Sequence, residues 1–296
     1  MKITPSWSSV MICVVAILAT SSPLLAQTAT VAAPGRYADI NGMKMYYEVH
    51  GTGEPLLLLH WYDGTGAASW GPFVKDLSFK YKLIIPDMRG HGRTINPADA
   101  FSFSQCADDV VQLLDHLRIG RCRAMGASLG GMTLLQIATR QPERISSMVL
   151  IGSGHYLPEQ ARREMRRETK ALYFDNPKHW AEMETLHPGG KEQIQKLARL
   201  FSAIADDYAD LNFTPPYLGT IQARTLIMHG DRDQYFPVDI PVEIYKSIPD
   251  SALWIVPKGG HLPHMNMPNE FVQRTLQFMD AEDHRPGDDT RRRTQP

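Results

Sequence analysis

Cysteine is scarce in this chain, with three in 296 residues, and no Cys/His spacing matches a zinc site. A charge surplus is missing too. The 31 Lys and Arg stand against 32 Asp and Glu, for a formal net charge of −1. Such a balance gives no argument for nucleic acid or anionic lipid as the main partner. No internal repeat is visible. No apolar run reaches the ~20 residues that a bilayer-spanning helix needs. The N-terminal candidate, Val10 to Ala19, is about half that length. What is present is enough chain for one α/β core plus an insertion.

Lys2 precedes the apolar run, and Ser21-Ser22-Pro23-Leu24-Leu25-Ala26 follows it. The pattern reads as a secretory signal over residues 1–26, cut after Ala26, against an uncleaved anchor. Leu24 is larger than the usual residue three before a cut, so cleavage near Ala29 or Ala33 is the alternative. A secreted or periplasmic protein follows, with no membrane association once the signal is removed. Export permits disulfides, but Cys13 leaves with the signal. Cys106 falls near the start of a helix expected over Ser104–Leu117, and Cys122 opens the strand that returns antiparallel to it. That places them ~15 Å apart by helical rise, beyond the ~7 Å a bridge allows. Two free thiols are expected. Residues 281–296 are polar, include Arg291-Arg292-Arg293, and are expected to form a disordered tail.

The stretch Gly126-Ala127-Ser128-Leu129-Gly130-Gly131 carries most of the chemistry. It lies between a short strand from Cys122 and a helix that stops before Pro142. A serine on a sharp strand-to-helix turn exposes its hydroxyl at the helix N-terminus, where N–H groups and the dipole favour negative charge. Residues two before and two after it must be small, and both are glycine. A serine needs a base to take its proton and an acid to orient that base. After Ser128, Thr225-Leu226-Ile227-Met228 leads into His229-Gly230-Asp231-Arg232-Asp233, and Ala252 to Val256 leads into Pro257-Lys258-Gly259-Gly260-His261. The order Ser, Asp, His is that of the α/β hydrolases. Pro55-Leu56-Leu57-Leu58-Leu59-His60 is apolar without alternation and reads as a buried parallel strand. The loop from Trp61 to Ser69 then lies at its carboxyl end, beside the elbow.

These features resemble the α/β-hydrolase family with a helical lid after the sixth strand. The resemblance runs from about Tyr37 to Met279 and includes Pro86-Asp87-Met88-Arg89-Gly90-His91-Gly92-Arg93. It implies an α/β fold with a mostly parallel central sheet flanked by helices. Residues 37–154 and 220–280 form the core, and residues 155–219 the lid. It further implies Ser128 as nucleophile, His261 as general base and Asp233 as orienting acid, with Leu129 N–H and Tyr62 N–H as oxyanion donors. No cofactor and no metal are implied. The family usually has glycine where this chain has Trp61. A Cβ there strains the usual backbone. Asp63 is an odd neighbour for an oxyanion unless it turns outward as a turn residue. Asp231 also follows the strand, but the family spacing selects Asp233. His264 is read as a surface or pocket-rim histidine, and His60 and His91 as structural.

Ala38 to Glu48 reads as a hairpin around Asn41-Gly42. In the lid, Glu159–Tyr173 and Lys191–Tyr208 read as helices, with a third over Pro177–Leu186. Arg162, Arg163, Arg166 and Arg167 read as a solvated face. Lid apolar residues such as Leu157, Met165 and Tyr173 are expected to pack together or roof a pocket for a small-molecule substrate. The expected activity is hydrolysis of a carboxylic ester through an acyl-enzyme. Acyl transfer, perhydrolysis or carbon–carbon cleavage fit the same triad, and a non-catalytic binding protein is the rival of a different class. Lid shape sets substrate identity and is not readable from sequence; nor is oligomeric state.

Overall fold

The computed structural model describes residues 35–280. The expected signal, residues 1–26, and the tail, 281–296, lie outside them. Asn41 and Gly42 both take left-handed backbone (φ 44° and 78°). That is the twist a two-residue hairpin turn requires, and it joins β1 (Arg36–Ile40) to β2 (Met43–His50). β3 (Glu54–Leu59) follows, then α1 (Gly66–Ser78), β4 (Tyr81–Pro86), α2 (Phe103–His116), β5 (Cys122–Ala127), α3 (Leu129–Arg140) and β6 (Ile145–Ile151). The insertion holds α4 (Glu159–Tyr173), α5 (Pro177–Leu186), α6 (Gly190–Ile204) and the single turn α7 (Pro215–Leu218). β7 (Arg224–Gly230), α8 (Asp239–Ser247), β8 (Ser251–Val256) and α9 (Pro268–Asp280) complete the order.

The eight strands form one sheet in the order β1-β2-β4-β3-β5-β6-β7-β8. Pairing is antiparallel at β1/β2 and β2/β4 and parallel from β4 onward. Leu56 and Leu58 join the core on one face, Leu57 and Leu59 that on the other, and all four are fully buried. A strand covered on both sides has no polar face, so its sequence does not alternate. The chain leaves β3 for β4 on one side and returns to β5 on the other. The carboxyl ends of β3 and β5 therefore flank the crevice where such sheets bind ligands.

Cys106 and Cys122 are buried free thiols. Among the described residues, no helix is long and apolar enough to cross a membrane. The basic run of α4 departs from expectation. Arg162 is buried, and its guanidinium donates to the carbonyls of Leu157, Ala205 and Asp207 while lying over the Tyr208 ring. The last carbonyls of a helix have no partner within it, and α4 carries Arg162 to the end of α6. Arg166 and Arg167 pair with Asp206 and Glu164 at the surface.

His264 also departs from expectation. It is fully buried, stacked on Phe73 and ringed by Trp61, Trp70 and Phe271, and neither ring nitrogen has a partner among the described residues. The local 3₁₀ turn (Pro263–Asn266) tucks it behind α1 and α9 rather than to the rim. Burial, followed by the nearby His261, lowers its pKa from 6.5 to about 3. The unfolded chain therefore takes up a proton that the fold refuses, and stability falls as pH drops below about 6.5 toward about 3. His264→Phe is expected to exceed the parent in stability by more at pH 5 than at pH 8, measured by urea unfolding. A second test concerns Asp109, buried in α2, which holds Arg89 through two bonds of 2.6 and 2.7 Å and also accepts from Asn41. Asp109→Ala leaves a buried guanidinium unpaired and is expected to cost about 3–5 kcal/mol in the same assay.

Candidate active site

β5 ends at Ala127 and α3 begins at Leu129, so one residue makes the turn. That residue, Ser128, has φ 50° and ψ −111°. Such a conformation costs a non-glycine residue about 1–3 kcal/mol and persists only when its surroundings impose it. They do so here. A Cβ at Gly126 would lie 2.5 Å from the Gly130 backbone, and one at Gly130 would lie 2.3 Å from the Leu59 carbonyl oxygen. The first turn of α3 thus sits directly on β5 and β3, and Ser128 N–H donates to Ile151 O at 2.7 Å.

The loops after β7 and β8 bring two further groups to the serine. Ser128 Oγ stands 2.8 Å from His261 Nε2, and His261 Nδ1 stands 2.8 Å from Asp233 Oδ2. With Nδ1–H donating to the carboxylate, Nε2 is free to accept the hydroxyl proton. The Asp233 side chain is fully buried, and its Oδ1 also accepts from the N–H groups of Tyr235 and Phe236. Its orientation is therefore set by the backbone. Asp231 faces Arg232 and makes no bond to His261. The Tyr235 ring packs 4.6 Å from that of His261.

The loop after β3 forms the opposite wall. His60 Nδ1–H donates to Trp61 O at 2.7 Å, and His60 Nε2 accepts from Met88 N–H at 2.8 Å. Burial lowers the pKa of this ring, which favours the neutral form. Gly64 N–H also donates to Trp61 O. A trans peptide points its N–H opposite its carbonyl, so the Tyr62 N–H faces away from those bonds. Neither it nor the Leu129 N–H donates to another group among the described residues. Trp61 tolerates its Cβ because the left-handed position in this loop is Asp63 (φ 58°), not Trp61. Asp63 does not turn outward: it lines the cavity beneath the insertion, where Tyr173 Oη donates to it at 3.4 Å and His179 Nε2 lies 3.7 Å away. His91 is buried and bonded to Arg89 O.

Ser128, Leu129, Tyr62 and His261 all line one cavity of about 480 Å³, with Asp233 behind His261. Leu157, Met165 and Tyr173 of the insertion roof it, whereas Phe174 points to solvent. Met183 is buried but does not line the cavity. Exposed Gln234, Met265 and Asn266 mark its mouth. Two acidic side chains that sequence reasoning missed or turned away complete the lining. Burial, then the charge of Glu168, pushes the Asp63 carboxyl up to about 7. Burial also raises that of Glu168, on α4, whose Oε2 accepts from Tyr235 Oη. Spacing gave no signal for Glu168, because it is one acid among several in a charged helix. No group of three or more His, Cys, Asp or Glu among the described residues is arranged to hold a metal ion.

Comparison with known proteins agrees with this architecture. Residues 54–184 match the family model described as alpha/beta hydrolase fold. The human serine hydrolase BPHL is 26% identical over 253 residues, covering 81% of this chain and 84% of that protein. The 2-hydroxy-6-oxo-6-phenylhexa-2,4-dienoate hydrolase of Comamonas testosteroni is 27% identical over 273 residues, covering 81% and 93%. Among solved structures, a meta-cleavage product hydrolase of Pseudomonas fluorescens IP01 superposes with a TM-score of 0.68 at 22% identity, covering 84% of this chain and 97% of that one. With the strand order, the elbow and these likenesses in agreement, the chain has the α/β-hydrolase fold.

Proposed function

We propose that the protein is a serine hydrolase that cleaves a carboxylic ester through an acyl-enzyme. The observation that carries this reading is the Ser128–His261–Asp233 chain, with 2.8 Å at each link, opening into a largely apolar cavity. In the first step His261 Nε2 takes the Ser128 proton as Oγ bonds to the substrate carbonyl carbon. The carbonyl oxygen becomes an oxyanion, stabilised by the N–H groups of Leu129 and Tyr62. On collapse the ester C–O bond breaks, and His261 returns the proton to the leaving alcohol. Water, deprotonated by His261, then releases the acid by the same route. Asp233 keeps the imidazole in the tautomer whose Nε2 can accept.

Carbon–carbon cleavage beside a ketone would use the same residues, and the Comamonas relative supports that second reading by its activity. The ester reading is preferred because, among the described residues, no Lys or Arg lines the cavity to meet the carboxylate of a dienoate. Residues 1–26, read as a secretory signal, place the activity outside the cytoplasm in this proposal.

A fluorophosphonate probe is expected to label the protein, and Ser128→Ala to abolish labelling, as read by intact mass. Asp233→Asn is expected to lower kcat on an aryl ester by roughly 10⁴-fold. Asp231→Asn is expected to leave kcat within about threefold, since it does not touch the imidazole. Reversal of the two effects assigns the acid to Asp231 instead.

A further inference from the structure

The catalytic cavity has an unbalanced charge. Two carboxylates, Asp63 and Glu168, line it, the first on the loop after β3 and the second on α4. Leu129, Met132, Met165 and Phe201 make much of the remaining surface apolar. Each carboxylate uses one oxygen within the protein: Asp63 Oδ2 accepts from Tyr173, and Glu168 Oε2 accepts from Tyr235. Asp63 Oδ1 and Glu168 Oε1 have no partner among the described residues. Arg167 acts on Glu168 from outside the cavity, but among the described residues no Lys or Arg faces the pair from within it. Burial lowers the pKa of His179, beside Asp63, and both tyrosines donate without carrying charge. Glu164, which also acts on Glu168, is paired with Arg167 on the outer surface. The two carboxylates are close enough for Glu168 to disfavour the ionised form of Asp63. Glu168 in turn lies within electrostatic range of His261, at the reacting end of the cavity.

A like-charged pair inside a low-dielectric pocket is costly unless a cation joins it. We infer that the cavity selects substrates bearing a protonated amine, held between Asp63 and Glu168, and rejects substrates bearing a carboxylate. The inference rests on the hydrolase reading for its reaction but not for its charge preference. An ammonium donates three hydrogen bonds and accepts none, which suits two free carboxylate oxygens. A substrate carboxylate would bring a third negative charge into the same space. This sets the chain apart from its dienoate-cleaving relative, whose named substrate carries that group.

The test has two arms. In the first, calorimetry at pH 8 compares hexylammonium with hexanoate on the intact protein. The ammonium is expected to bind at least about tenfold more tightly, and Asp63→Asn with Glu168→Gln to erase the difference. Asn tolerates the left-handed backbone at position 63, so the double variant keeps the loop. Equal affinity, preference for hexanoate, or a preference that survives the double variant overturns the inference. In the second arm, 4-nitrophenyl esters of graded chain length end in an ammonium, a methyl or a carboxylate. The expected order of kcat/KM is ammonium, methyl, carboxylate, with about tenfold steps that shrink toward unity in the double variant. Methyl esters cleaved as well as ammonium esters at every length also overturn it. If no ester is cleaved and Ser128 resists fluorophosphonate, the hydrolase reading fails, and calorimetry alone decides the charge preference.

Discussion

The close approach of α3 to β5 and β3 is the constraint on which the site depends. Gly126 meets the Gly130 backbone, and Gly130 meets the Leu59 carbonyl, at distances that admit no side chain. That contact holds Ser128 in a left-handed turn and sets its hydroxyl 2.8 Å from His261. Leu129 and Tyr62, of the loop after β3, line the same cavity as that hydroxyl. A methyl group at either glycine would lever the helix away and part Ser128 from His261. The strain at one serine is therefore sustained by three strands' worth of packing, which is how such conformations survive.

Polarity in the site is arranged by the backbone more than by other side chains. Asp233 is aimed by two N–H groups of its own loop. The Trp61 carbonyl is held by His60, whose other nitrogen is tied to Met88. A buried imidazole whose neutral form is favoured thus fixes the orientation of the next peptide. Asp63 is the exception, and its left-handed backbone is what brings a carboxylate under the roof instead of out to water.

Much of this was legible before any coordinates. The unalternating Leu56 to Leu59 run marks a strand covered on both faces, and Asn41-Gly42 marks the hairpin that joins β1 to β2. α4 and α5 span the residues that their apolar periodicity predicts, whereas α6 ends earlier than predicted, at Ile204. The elbow glycines follow from local sterics, so they too are readable. What stayed hidden depends on long-range packing. Arg162 looks like its neighbours in sequence, yet helix phase buries its guanidinium among the carbonyls that follow α6, where Arg166 also reaches Ala205 O from the surface. His264 follows the strand end as closely as a rim residue would, but a 3₁₀ turn drives it among four aromatic rings. Glu168 and Asp63 lie more than a hundred residues apart, and no local pattern announces that they share a cavity.

The anchoring of α6 has a consequence for traffic through the site. Tyr62 Oη donates to Leu197 O, Gln193 donates to the carbonyls of Gly90 and Gly92, and Lys196 donates to Asn96 O. One margin of the roof is thereby riveted to the loops after β3 and β4. Passage is left to the other margin, where Gln234, Met265 and Asn266 meet solvent. The opening of the chamber thus lies beside the histidine-bearing loop, on the margin that these bonds leave untied.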